Sequence, residues 1–165
     1  VEGVSRPLDP VVPAPLRALL EADPGDPAVD GFTLLLLTPR ADGWPHQAML
    51  SVGEVAPGAA PDRLELAVWP GSTSTRNLRA SGRATLTAVH DGVSYALLLE
   101  ASETGELSVA AGEATMRLAR FAARVVAASA DEAPYARLEH GVRFRLKDRD
   151  ETLARWRATR EELIA

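Results

Sequence analysis

The chain has 165 residues, 18 Lys plus Arg against 23 Asp plus Glu, a formal charge of −5, and no cysteine. That length suits one domain burying roughly 70% of its unfolded surface. The composition excludes disulfides, thiolate metal sites and cysteine nucleophiles, and the acidic balance argues against a nucleic-acid partner. Lys147 is the single lysine, so positive charge is almost all arginine, a usage compatible with a GC-rich bacterial genome.

Residues 1–30 are rich in Pro, Asp and Gly. They read as an N-terminal arm plus one short helix, with Pro13 or Pro15 in its first turn and Leu16, Leu19 and Leu20 as its apolar face. The opening VEGVSRPLDPVVPAP has neither the charged region nor the unbroken apolar stretch of a signal peptide. The longest apolar run, Leu34 to Leu37, is far too short to span a bilayer. A soluble cytoplasmic protein without a membrane partner is the expectation.

From residue 31 the pattern turns to strands, and 31–165 is expected to form the main domain of a single-domain chain. Phe32 to Thr38 is an apolar run suited to a strand buried on both faces. Asp42-Gly43 signals a hairpin, with Pro45 to Val55 as the return strand. Asp62 to Val68 alternates, with Leu64, Leu66 and Val68 on one face.

The next stretch, AVWPGSTSTRNLRASGR from Ala67 to Arg83, is the most informative. A strand ends at Trp69, Pro70-Gly71 turns the chain, and Ser72, Thr73, Ser74, Thr75 and Arg76 open a short helix that Gly82 stops. The first N–H groups of a helix lack intrahelical acceptors and its dipole favours negative charge, so hydroxyls and an arginine here suit an anion. Ser or Thr before a helix is also a common N-cap.

Further strands follow over Ala84 to Val89 and Val93 to about Glu103, joined at His90-Asp91-Gly92. Leu118, Phe121, Ala122 and Val125 fall at i, i+3, i+4 and i+7, which predicts a core-facing helix from Glu113 to Ala128, with Arg117, Arg120 and Arg124 on its other face. Val142, Phe144 and Leu146 alternate with Arg143 and Arg145 in an expected last strand. Asp148 then caps a closing helix that runs to Leu163. Strand pairs joined by such short turns must be antiparallel. The expected fold is mainly β with α, a closed or nearly closed antiparallel barrel with flanking helices, which the resemblance given next makes an antiparallel split β-barrel.

The phrases His46-Gln47-Ala48-Met49-Leu50-Ser51-Val52-Gly53-Glu54-Val55, Leu66 to Leu78 and Gly82-Arg83-Ala84-Thr85-Leu86, with Trp156 followed by Arg160, resemble the FMN-binding split-barrel superfamily of pyridoxamine 5'-phosphate oxidase-like proteins. The resemblance covers roughly residues 30–164. It implies a homodimer with FMN at the interface, the ring along the second strand and the phosphate on the loop after the third. The cofactor-binding positions it points to are His46, Gln47, Ala48, Met49, Leu50 and Ser51 on the strand, and Trp69, Ser72, Thr73, Ser74, Thr75 and Arg76 in the loop. Flavin-binding relatives often carry basic residues where this chain has His46, Ser51, Thr73 and Ser74.

The activity implied is an FMN-dependent oxidoreductase acting on a small-molecule substrate, in which the cofactor does the redox chemistry and no catalytic residue is assigned. Two alternatives stand beside it. One is a cofactor-free split-barrel dimer with a binding or structural role. The other is a haem-binding relative, for which His46, His90 and His140 are the histidine ligands to hand. A deazaflavin in place of FMN is equally compatible with the motifs. No pair of histidines has metal-ligand spacing, and no nucleophile elbow, phosphate loop or dinucleotide fingerprint is present.

Overall fold

The structure is a computed structural model and describes residues 5–165. The first four residues of the expected arm lie outside the described residues. Among the described residues, eight strands make one antiparallel sheet: β1 (Ser5–Leu8), β2 (Leu34–Pro39), β3 (Pro45–Leu50), β4 (Val55–Pro57), β5 (Arg63–Val68), β6 (Arg83–His90), β7 (Val93–Ala111) and β8 (Ala114–Asp131). Three α-helices among the described residues flank it, α1 (Ala14–Glu21), α2 (Thr73–Ser81) and α3 (Arg149–Ile164), with a single 3-10 turn at Pro27–Val29. The hydrogen-bonded order is β3-β2-β6-β7-β8-β5-β4, with β1 added on β8. The two ends of that path, β3 and β4, belong to consecutive strands that do not pair, which is where the barrel is split.

Alternation builds the core. Leu34 and Leu36 of β2, Leu64 and Leu66 of β5, Leu86 of β6, Leu97 and Leu99 of β7, and Phe121 and Val125 of β8 all point inward and are buried. Each such side chain contributes about 1.5–3 kcal/mol by leaving water. Leu16, Leu19 and Leu20 of α1 join the same core, so the N-terminal helix is an integral lid on the barrel. A smaller core of Ala56, Ala67, Leu107, Val109, Leu118 and Leu163 lies between the outer half of the β7–β8 hairpin and α3.

Helix ends follow local chemistry. Ser72 Oγ accepts from the Thr75 N–H, and Gly82 closes α2 in the left-handed conformation at φ 64. Asp148 accepts from the Glu151 N–H at the start of α3. Asp91 and Gly92 both have positive φ, the geometry of a tight hairpin turn between β6 and β7.

Three sequence expectations are corrected. Residues 113–128 are not a helix: they belong to β8, an 18-residue strand paired with β7 on one side and β5 on the other. Register shifts at Leu98/Leu99 and Glu103/Gly105 explain the false periodicity. Past one shift, Val125 and Ala128 both face the main core; near the other, Leu118 serves the smaller core and Phe121 the main one. Spacings of three and four therefore arise in an extended chain. The Arg117, Arg120 and Arg124 stripe is likewise no helix face; these residues pair across strands with Glu106, Glu65 and Glu100.

Residues 142–146 form no strand. Phe144 and Leu146 do turn partly inward, but the backbone makes one isolated bridge, Phe32 with Arg143. The return strand stops at Leu50 rather than running to Val55, because Ser51 to Glu54 turns the chain and Val55–Pro57 pairs with β5 instead.

Candidate cofactor site

β3 is an edge strand whose described pairing is with β2 alone. Gln47 and Met49 project outward on the sheet face shared by Leu37 and Leu35, their register partners. Met49 is 64% exposed, an unusual state for a large apolar side chain on a strand. His46 and Ala48 are half-buried, and Leu50 is buried.

Ser51 is also buried and its polar groups are taken. Its N–H and hydroxyl both donate to Glu54 Oε2, at 2.7 and 2.9 Å, and its Oγ accepts from the Gly53 N–H at 3.2 Å. Ser51 therefore holds the turn after β3. Burial raises the Glu54 carboxyl above its ordinary range, opposed by the two Ser51 donors and by the charge of Arg155 on α3.

The turn is fixed from its other side by α3. Trp156 lies against Gly53 and meets Phe144 edge-on, with ring centroids 5.9 Å apart. Trp69, at the end of β5, lines a small cavity beside Glu54, Arg155 and Trp156 and is itself 56% exposed. The strand end, the turn after β3 and α3 thus meet at one corner of the barrel.

The loop's hydroxyls divide into two sets. Ser72 is committed to capping, and Thr75, fully buried, donates its hydroxyl to Trp69 O at 2.7 Å. Both hydroxyls are engaged within the loop. Thr73 and Ser74 stand at the first two helical positions, where backbone N–H groups have no acceptor within the helix. Ser74 Oγ is buried without a hydrogen-bond partner among the described residues.

Arg76 is exposed and folds back, donating to Gly71 O at 2.8 Å and Thr73 Oγ1 at 2.9 Å. Its guanidinium is held over the helix start, with donor capacity to spare. Asn77 ties α2 to β2 by donating to Thr38 Oγ1 at 3.1 Å. The loop and strand β3 are thereby fixed on one framework.

Arg160, part of the closing Trp156–Arg160 pattern, donates to the carbonyls of Leu20 and Ala22 and anchors α3 to α1. His90 packs edge-on against Phe32, and His140 is exposed with Nδ1 against Gly141 O. No group of three or more metal-ligating side chains occurs among the described residues. Nor is any helix among them long and apolar enough to cross a membrane.

Sequence reasoning overlooked Glu54 and Arg155. Glu54 is separated from its partner by only three positions, an Asx-like turn signal on a longer side chain. Arg155 comes from α3, more than 80 residues after Trp69, and has no local signature.

Comparison with known proteins bears on the fold. No family model matches the chain. The uncharacterized protein YclD of Bacillus subtilis is 36% identical over 129 residues, covering 78% of this chain and 80% of that protein. A crystal structure of a Lactobacillus delbrueckii protein, assigned provisionally as a pyridoxamine 5'-phosphate oxidase, superposes with a TM-score of 0.52 at 13% identity, over 74% of this chain and 98% of that one. An FMN-binding protein from Syntrophomonas wolfei superposes less closely, with a TM-score of 0.47 at 14% identity, over 68% of this chain and 80% of that one.

Proposed function

The chain belongs to one family with YclD and has the split-barrel fold of pyridoxamine 5'-phosphate oxidase-like proteins, and from this we propose that it binds FMN and works as an oxidoreductase on a small molecule. The observation that carries the proposal is the start of α2. Two unpaired backbone N–H groups, the buried unpartnered hydroxyl of Ser74 and the guanidinium of Arg76 converge there, on the same framework as an exposed edge strand.

These residues fit a phosphate. Thr73 and Ser74 would donate through their N–H groups and hydroxyls, and Arg76 would add the charge that neutral donors lack. Ser72 and Thr75 would shape the loop without touching the ligand, since their hydroxyls are already spent. Gln47 and Met49, with the backbone of Ala48 between them, would line the ring, with His46 and Trp69 at its margins and Leu50 and Ser51 holding the strand from behind. When bound, FMN supplies the electron transfer; the protein orients it and excludes water from one face.

A second copy of the chain completes the proposal. Trp44 and Met49 are 72% and 64% exposed at the edge strand, an apolar surface suited to a homodimer closing over the ring. Arg76→Ala tests the phosphate assignment. The side chain is exposed and bonded only within its own loop, so the fold is expected to survive while FMN affinity falls about tenfold or more. An unchanged affinity would remove Arg76 from the site.

A further inference from the structure

One register row crosses four strands on the outer face of the sheet: Arg83 of β6, Glu100 of β7, Arg124 of β8 and Arg63 of β5. All four side chains are exposed. Glu100 is engaged by Arg124 at 2.7 Å, and Arg63 lies 3.6 Å from Asp62. Glu103, the next acid along β7, is taken by Arg79. Arg83 is left without a carboxylate partner among the described residues.

This row separates two grooves that share Arg83 and Glu100. The first, of about 440 Å³, presents Arg63, Arg83 and Arg124 with the hydroxyl-bearing Ser81 and Ser102. The second, of about 500 Å³, is walled by Leu37, Thr85, Leu98 and Val126. The β7–β8 register shift creates that apolar wall. It leaves Val126 unmatched in the ladder, so Val126 and Leu98 lie side by side on the outer surface, 37% and 47% exposed. An apolar trough that opens onto Arg83, the arginine of the row left without a carboxylate partner among the described residues, has the polarity of a ligand with one greasy and one anionic end.

We propose that the apolar groove binds a small amphiphilic anion, its apolar body over Leu37, Leu98 and Val126 and its carboxylate or phosphate on Arg83. Leu37 stands opposite Gln47 in register, so the groove adjoins the strand assigned to the flavin ring. Its use as the substrate site rests on the FMN reading; the binding itself does not. Guanidinium groups suit either oxyanion, since both accept paired N–H donors.

The test titrates the full chain with decanoate, decyl phosphate, 1-decanol and acetate by calorimetry, with FMN titrated separately. Decanoate or decyl phosphate is expected to bind about tenfold tighter than decanol, with acetate weaker than both. The tighter of the two anions identifies the headgroup. Arg83→Gln is expected to remove the preference for the anions and Leu98→Gln to weaken all decyl ligands, with circular dichroism unchanged in each. Equal binding of decanoate and decanol, no effect of Arg83→Gln, or no saturable binding because a second copy covers the groove would overturn the proposal. Anion binding without FMN binding would refute the cofactor reading alone, and the reverse would refute the groove alone.

Discussion

Gly53→Ala tests how tightly the turn after β3 is clamped by α3. A Cβ built on Gly53 falls 2.5 Å from Trp156 Cβ and closer still to Cγ and Cδ1. These atoms are the stiff base of the indole, not a flexible tip. Trp156 is 8% exposed and has Phe144 against its ring, so it has little room to withdraw. Overpacking of this kind costs about 1–3 kcal/mol, and a clash with the root of a buried tryptophan belongs at about 3. In a domain of this size that lowers the melting temperature by about 6–12 °C. Gly71→Ala is the matched control, because its Cβ would meet nothing within 4 Å. Thermal unfolding followed by circular dichroism reads both. Gly53→Ala melting within about 1 °C of wild type, or falling no further than Gly71→Ala, would refute the clamp.

Ser72→Ala removes the α2 cap and is expected to cost about 1 kcal/mol, or about 2–4 °C in melting temperature, measured the same way. Burial raises the folded-state pKa of Glu54, so the folded protein holds the extra proton; stability from this group is full below its ordinary value of 4.5 and is lost as pH rises through the raised value. Urea titrations across pH should show that slope in wild type and not in Glu54→Gln. Asp23 behaves oppositely. The hydrogen bond from Arg157 holds its carboxyl at about 2, so its contribution is present above 3.8 and is lost as pH falls toward 2, and Asp23→Asn should abolish that acid-side loss.

The parts of the fold that were legible in the sequence are those decided by two or three neighbouring residues. Ser72 and Gly82 bound α2, Asp91-Gly92 turns β6 into β7, and Leu16, Leu19 and Leu20 mark the buried face of α1. β8 was illegible for a nonlocal reason. An alanine-rich strand with two register shifts, serving two cores, shows helical spacing, and pairing with β7 and β5 overrides its local preference. That misreading also hid the row of Arg63, Arg83 and Arg124, which exists only when residue 124 lies on a strand.

The candidate site was legible as a place but not in its division of labour. The loop announced itself through four hydroxyls, yet the sequence could not distinguish Ser72 and Thr75, consumed by the helix start and Trp69 O, from Thr73 and Ser74. Ser51 read as a ring contact, while its hydroxyl is turned to Glu54 by a three-residue turn. Each of these outcomes depends on which acceptor the fold brings within hydrogen-bond range.

The most direct measurement is the visible absorption spectrum of the purified chain after incubation with FMN and removal of free cofactor, for wild type and Arg76→Ala in parallel. Flavin bands retained by wild type and diminished in Arg76→Ala are the expected result. A colourless wild-type protein would contradict FMN binding and leave the start of α2 as a well-capped helix alone.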